Sequence, residues 1–219
     1  MTRRLNADRA HLDANPADLA ALIEELHQYL DAGGVAAVPT DTLYGLAANA
    51  LDAGAVERVF TLKGREAGKP LPVVVRDATQ AAELALELPP LFHQLAAMFW
   101  PGPLTLIVAA RPGLPAALTA GPGAIATIAM RQPALGLLDA LLRATGYPLT
   151  ATSANRSGQP ACRTAAEIER QFGAALELIV DAGVSPAALP STLVDVSGGT
   201  PRILREGAVP RAVLERCWA

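Results

Sequence analysis

The strongest constraint on the fold is a repeated change of period along the chain. Leu19, Leu22, Ile23, Leu26 and Leu30 recur at the spacing of one helix face, with Asn15 positioned to cap the helix and Pro16 suited to its first turn. Gly33-Gly34 then ends the helix, and Val35–Val38 is an unbroken apolar run stopped by Pro39, the pattern of a short buried strand. The same switch recurs. Helical spacing predicts helices over about Asp52–Leu62, Thr79–Leu88, Pro90–Phe99, Ala134–Ala144, Thr164–Phe172 and Arg211–Cys217, with Thr164 and Glu167 in capping-box spacing. Apolar runs predict strands over Leu71–Val75, Leu104–Ala109, Ile125–Arg131, Leu149–Thr152, Leu178–Val180, Thr192–Val196 and Ile203–Arg205. Helices alternating with short buried strands require an α/β domain. Connections of unequal length favour a mixed sheet over a regular doubly wound one. Residues 1–15 show neither period and read as an irregular lead-in, leaving 16–219 as a single domain. A chain of 219 residues buries about 70–75% of its unfolded surface, enough to hold a core without a disulfide or metal.

Composition removes several classes of function. Hydrophobic residues make up 51% and charged ones 18%, the reverse of a disordered chain. The net charge of −3 excludes a globally basic nucleic-acid binder, though not a local basic patch. Cys162 and Cys217 stand in no metal spacing and are too few for a disulfide framework, which points to a reducing, cytoplasmic setting. Arg3 and Arg4 are followed by no apolar stretch of the kind a secretory signal needs. Leu104–Ala110 falls far short of the roughly 20 apolar residues that span a bilayer, so no membrane partner is expected.

The candidate chemistry sits in turns. There is no Walker A loop and no G-x-S-x-G elbow, and His11, His27 and His93 lie away from every glycine-rich or polar turn, which argues against a histidine triad or a zinc site. Gly121-Pro-Gly-Ala-Ile-Ala126 echoes a dinucleotide fingerprint but precedes a strand where the fingerprint demands a helix. Polar clusters instead follow the predicted strands: Pro39-Thr-Asp-Thr42, Thr127 with Arg131, Thr152-Ser-Ala-Asn-Arg-Ser-Gly158, Ser191-Thr192 and Arg205-Glu-Gly207. Each alone is ordinary turn chemistry. Together they occupy the strand ends at which α/β folds hold ligands. Lys63 and Lys69, the two lysines of the chain, bracket Gly64-Arg65-Glu66-Ala67-Gly68, so three cations meet one acid on glycine-rich backbone suited to an anion. Without histidine or an acidic cluster, such a site works by alignment and positive charge, as adenylyl or phosphoryl transfer does.

These segments carry a resemblance. Pro39-Thr-Asp-Thr-Leu-Tyr-Gly-Leu46, Lys63-Gly-Arg65, Phe99-Trp-Pro-Gly-Pro-Leu-Thr105, Arg131-x-Pro133, Thr152–Gly158, Ser191-Thr192 and Leu204-Arg-Glu-Gly207 occur together and in order. From about Leu19 to Val209 the chain closely resembles the YrdC/TsaC family of L-threonylcarbamoyladenylate synthases, in its short, single-domain form. The resemblance implies a YrdC-like catalytic domain: a twisted mixed sheet flanked by helices, with a concave, positively charged surface. It implies a reaction in which L-threonine, bicarbonate and ATP give threonylcarbamoyl-AMP and pyrophosphate. The product serves N6-threonylcarbamoyladenosine formation beside the tRNA anticodon, transfer proteins completing the step. Residue by residue it assigns Thr42, Arg131 and Ser191, with Val74 and Ala151, to threonine. It assigns Arg65, Lys69, Thr127, Ser153, Asn155, Ala161 and Arg205 to ATP, and makes Lys63 and Arg65 the catalytic K-x-R pair. An arginine fork suits a carboxylate or phosphate, and a lysine is a mobile point charge for a triphosphate. Mg²⁺ is expected to enter with ATP, held by phosphate oxygens and water.

The chain departs from the family pattern at Glu66 (usually proline), Lys69 (often Asn), Val74 (often His) and Ala161 (often Ser). Glu66 adds negative charge near the expected phosphates, and Val74 removes a polar contact to threonine. A non-catalytic RNA-binding or ribosome-associated module on the same fold is the competing reading, and direct tRNA contact stays open. Aromatic residues at 4% weaken that reading, since sequence-tolerant RNA binding uses stacking rings beside positive charge.

Overall fold

The computed structural model describes residues 2–8, 12, 15–65, 69–120, 126–186 and 189–218. The first expected helix forms as α1, Pro16–Asp31, and Leu22, Ile23, Leu26 and Leu30 are its buried face. The chain then runs β2 (Ala36–Val38), β3 (Gly45–Ala47), α2 (Ala53–Lys63), β4 (Val73–Val74), α3 (Ala78–Leu84), α4 (Pro90–Phe99) and β5 (Leu104–Ala109). Beyond a cis Trp100–Pro101 bond and a short 3₁₀ turn at Ala116–Leu118 come β6 (Thr119–Ala120), β7 (Thr127–Arg131), α5 (Gly136–Thr145), β8 (Leu149–Thr150) and β9 (Thr152–Ser153). It ends with α6 (Ala165–Phe172), β10 (Leu178–Asp181), β11 (Thr192–Asp195), β12 (Arg202–Arg205) and α7 (Arg211–Glu215). The Asp52 and Thr164 side chains cap α2 and α6 by accepting from the N–H groups of Gly54 and Glu167.

Residues 3–6, read from sequence as irregular, form β1 (Arg3–Asn6), which pairs in parallel with β10. This edge strand is charged and exposed, so apolar periodicity could not disclose it. Arg3 pairs with Glu25 at 2.5 Å and Arg4 with Glu169.

Two mixed sheets replace the expected single one. The first runs β1-β10-β2-β3-β9. The second runs β12-β11-β5-β7-β4-β8, with β6 added on β7. The predicted strand Leu149–Thr152 is where they join: β8 pairs with β4 in the second sheet, β9 with β3 in the first, and Ala151 is the crossing. Alternation along the strands sends side chains into two cores. Ala36, Val38, Leu178 and Val180 pack with α1 and α5, whereas Ala37 and Ile179 face the larger core that includes Val56 and Val59 of α2, Phe92 of α4 and Ile168 of α6. No described helix is long and apolar enough to cross a membrane.

Candidate active site

A cavity of about 780 Å³ opens where the two sheets meet. The turn after β2 builds one wall. Thr40 Oγ1 donates to the Leu43 carbonyl (2.7 Å), accepts from the Thr42 N–H (2.9 Å) and lies 2.9 Å from Thr42 Oγ1, so one buried threonine fixes the hydroxyl of the next. On β7, Thr127 and Arg131 line the same cavity. The Arg131 guanidinium is buried; its Nη1 donates to Asp41 Oδ1 at 2.6 Å and reaches the Gly102 carbonyl at 3.5 Å. Ser191, at the entrance to β11, has its Oγ 2.7 Å from Thr105 Oγ1.

Arg205, at the end of β12, donates through Nη2 to the Ser191 carbonyl at 2.9 Å. This close approach depends on Gly207: a Cβ there would stand 2.3 Å from the Pro190 carbonyl oxygen. Arg65 is held by carbonyls too, donating to Lys69 O at 2.8 Å and Pro70 O at 3.0 Å. Burial draws the pKa of both guanidiniums, Arg65 and Arg205, below the ordinary arginine value. In the turn beyond β9, Ser153 Oγ donates to Asn155 Oδ1 at 2.5 Å, and Asn155 Nδ2 donates to the carbonyls of Arg156 and Gln159. Ala151, Ala161 and Lys69 complete the set of expected residues on the cavity wall.

Two expected site residues are elsewhere. Lys63 is 3% exposed and does not line the cavity. Its ammonium donates to Ser153 O (2.6 Å), Asn155 O (2.8 Å) and Asn155 Oδ1 (3.4 Å), which occupies all three N–H bonds and makes it a brace beneath the Ser153–Asn155 turn. Burial, followed by the neighbouring Arg65 charge, pushes its pKa down to about 8. Val74 faces the core under α1 and α5; strand alternation puts Val73, one residue earlier, on the cavity wall. Glu66 and most of the glycine-rich stretch at 121–126 lie outside the described residues.

Sequence reasoning missed Asp41 and Arg163. Asp41 was quoted within its motif, but nothing local links it to a partner ninety positions away. Arg163 lines the cavity and donates to the Ser185 carbonyl at 3.2 Å. It sits directly before the α6 cap, where a basic residue reads as solvent-facing. With it, five cations (Arg65, Lys69, Arg131, Arg163 and Arg205) line the cavity among the described residues, against the lining acid Asp195 and the Asp41 carboxylate paired with Arg131, in a chain of net charge −3. Such focusing selects an anionic ligand.

The model of the Sua5/YciO/YrdC family, described as "Telomere recombination", matches residues 28–207. The chain belongs to the Sua5/YciO/YrdC family. It is 37% identical to a threonylcarbamoyl-AMP synthase of Pyrococcus abyssi over 86% of its own length and 54% of that protein's. It is 38% identical to one of Thiobacillus denitrificans over 82% of its length and 93% of that protein's. The structure of P. abyssi Sua5 complexed with L-threonine superposes with a TM-score of 0.90 at 33% identity, covering all of this chain and 61% of that one. E. coli YciO superposes with a TM-score of 0.78 at 25% identity, covering 95% of this chain and 97% of that one. The chain spans about half the length of the P. abyssi and Bacillus subtilis relatives.

Proposed function

We propose that this cavity makes L-threonylcarbamoyl-AMP and pyrophosphate from L-threonine, bicarbonate and ATP. The observation that carries the reading is the convergence of five cations and three fixed hydroxyls, those of Thr42, Ser153 and Ser191, on one cavity of about 780 Å³. That volume lies within the range of small-molecule sites. The threonine amine takes up bicarbonate with loss of water, and the carbamate oxygen displaces pyrophosphate from the α-phosphorus. The residues act by holding the reactants. Arg131, oriented by Asp41, takes the threonine carboxylate, with Thr42 and Ser191 as hydroxyl partners. Arg65, Lys69 and Arg205 take the triphosphate, with Thr127, Ser153 and Asn155 beside it. Holding reactants in line and stabilising charge are worth several kcal/mol each in such sites, roughly 7–11 for alignment.

Mg²⁺ belongs to this reading as a companion of ATP. Among the described residues no group of three or more His, Cys, Asp or Glu could cage a metal, so the donors would be phosphate oxygens and water. The ion would supply charge neutralisation on the phosphates. The product would serve tRNA threonylcarbamoylation by transfer proteins in the cytoplasm. Pyrophosphate release that requires both threonine and bicarbonate supports the assignment. Release with ATP alone, or none with all three substrates, refutes it.

A further inference from the structure

The acid on the wall of the main cavity, Asp195, has no task in the reaction described above. It closes β11, where Val194 turns into the core and strand alternation sends Leu193 and Asp195 to the cavity face. Its Oδ1 is engaged locally, accepting from the Ser197 N–H (2.9 Å) and the Ser197 hydroxyl (2.6 Å). No partner for Oδ2 is found among the described residues. Arg202 stands opposite in the β11–β12 register, yet no ion pair joins the two. A half-buried carboxylate oxygen left without a donor carries a desolvation cost that a ligand hydroxyl would offset.

Strand register fixes where that oxygen stands relative to the cations. Asp195 pairs with Ile107 of β5, which pairs with Ala129 of β7, and all three line the cavity. Leu193, two residues earlier and about 6.8 Å away by strand rise, is the partner of Arg205. The guanidiniums of Arg205 and Arg131 turn the other way, to the carbonyls of Ser191 ahead of β11 and Gly102 ahead of β5. The cavity thus has a cationic end at the strand entrances and, beyond Leu193, an apolar floor bounded by one acid. Phosphate would be repelled by that acid. The α-carbons of Asp195 and Arg131 are about 12 Å apart by strand spacing, too far for the amine of a threonine whose carboxylate sits on Arg131. Among the described residues no group of three His, Cys, Asp or Glu stands ready for a metal. A neutral donor fits, carried by a molecule whose anionic part lies on the cations. In a nucleotide that donor is the ribose, the group next to the phosphates, and a carboxylate is a ready acceptor for its hydroxyls. We propose that Asp195 receives the ribose hydroxyls of ATP and makes the cavity selective for ribonucleotides. The role rests on the nucleotide reading given above and deepens it, with the phosphates on Arg65 and Arg205 and the base over Ile107 and Ala129.

The test is calorimetric titration of the full chain with the magnesium salts of ATP, 2′-deoxyATP, 3′-deoxyATP and inosine triphosphate, without threonine so that no turnover occurs. The wild type should bind ATP about ten- to a hundredfold more tightly than at least one deoxynucleotide, the size of one charge-assisted hydrogen bond. Asp195→Ala should erase that difference by weakening ATP. The disfavoured deoxynucleotide should bind this variant at least as tightly as the wild type, because an acid near the triphosphate is gone. Asp195→Asn, which keeps the oxygen that Ser197 uses, should lose most of the discrimination with the turn intact. Equal wild-type affinity for ATP and both deoxynucleotides would overturn the role of Asp195. So would an equal loss for all four nucleotides in Asp195→Ala, the mark of a purely structural acid, or discrimination only against inosine triphosphate, the mark of a contact to the adenine amine. Binding of none of the four would instead overturn the nucleotide reading itself.

Discussion

Replacing Asp41 by alanine tests the electrostatic design of the cavity most directly. The Asp41 and Arg131 side chains are 11% and 7% exposed, and 2.6 Å separates the carboxylate oxygen from Nη1. This burial decides the magnitude. An exposed pair of the same geometry contributes about 0–1 kcal/mol, whereas removing one partner of a buried pair costs about 3–5 kcal/mol, because the remaining charge is left uncompensated. In Asp41→Ala the guanidinium keeps the Gly102 carbonyl at 3.5 Å as a weak acceptor. For a chain of this size 1 kcal/mol moves the melting temperature by about 2–4 °C, so the variant should melt roughly 6–20 °C lower. Water reaching Arg131 through the cavity favours the lower half of that range. Asp41→Asn, which keeps an acceptor oxygen without the charge, should fall between variant and wild type. Scanning calorimetry with and without L-threonine gives a second readout. If Arg131 receives the substrate carboxylate, threonine restores a counter-charge and raises the melting temperature of Asp41→Ala more than that of the wild type. A loss below about 2 °C would put the pair among surface ion pairs. Equal threonine shifts in the two proteins would remove Arg131 from the carboxylate site.

Arg131→Lys should fold but raise the KM for threonine about ten- to a hundredfold in a pyrophosphate-release assay, since it replaces a planar fork with a point charge. Lys63 sets a pH dependence. Its pKa, about 8 when folded against 10.5 ordinarily, means that the native protein releases this proton first. Between those values the unfolded chain alone holds it, so stability from this group is greatest above 10.5, falls as pH drops towards about 8, and is level below that. Melting curves should show that trend in the wild type and not in Lys63→Met. Tyr44→Phe removes a hydroxyl that donates to Gly183 O and accepts from the Ala182 N–H, both at 2.9 Å. Denaturant titration should register a loss of about 1–3 kcal/mol, the cost of two stranded backbone groups, and a loss under about 0.5 kcal/mol would show that the segment readjusts.

Elements with a strong period of their own were legible. Pro90–Phe99 and Leu104–Ala109 match their sequence boundaries, and α1 begins at Pro16. What was lost depended on tertiary partners. Leu149–Thr152 reads as one apolar strand, and nothing within it announces that the chain leaves one sheet for the other at Ala151. Leu71–Val75 is apolar on both faces, so composition could not say whether Val73 or Val74 meets the cavity. Lys63 is different, because a usable signal was present. Val56, Val59 and Lys63 follow at three and four residues, the stripe that α2 buries. A lysine on that stripe must find acceptors below the surface; its glycine neighbour suggested a loop instead.

The way the cations are held explains how a chain of net charge −3 presents a positive cavity. Some arginines on the outer surface stand in exposed ion pairs, Arg3 with Glu25, Arg143 with Asp139 and Arg211 with Glu215, and are neutralised where they stand. Arg65 and Arg205 are oriented by carbonyls of Lys69, Pro70 and Ser191, and Lys63 by carbonyl oxygens of Ser153 and Asn155. A carbonyl fixes a guanidinium without cancelling its charge, so the field remains for a ligand with several negative charges. Arg131 is the exception. Its tether is the Asp41 carboxylate, which leaves that part of the cavity near neutral before a ligand arrives. The arrangement therefore separates two recognitions: strong positive potential along Arg65 and Arg205 for a polyphosphate, and at Arg131 a compensated fork suited to a single carboxylate. In the proposed reaction an amino acid and a nucleotide would then share one cavity without competing for the same cation.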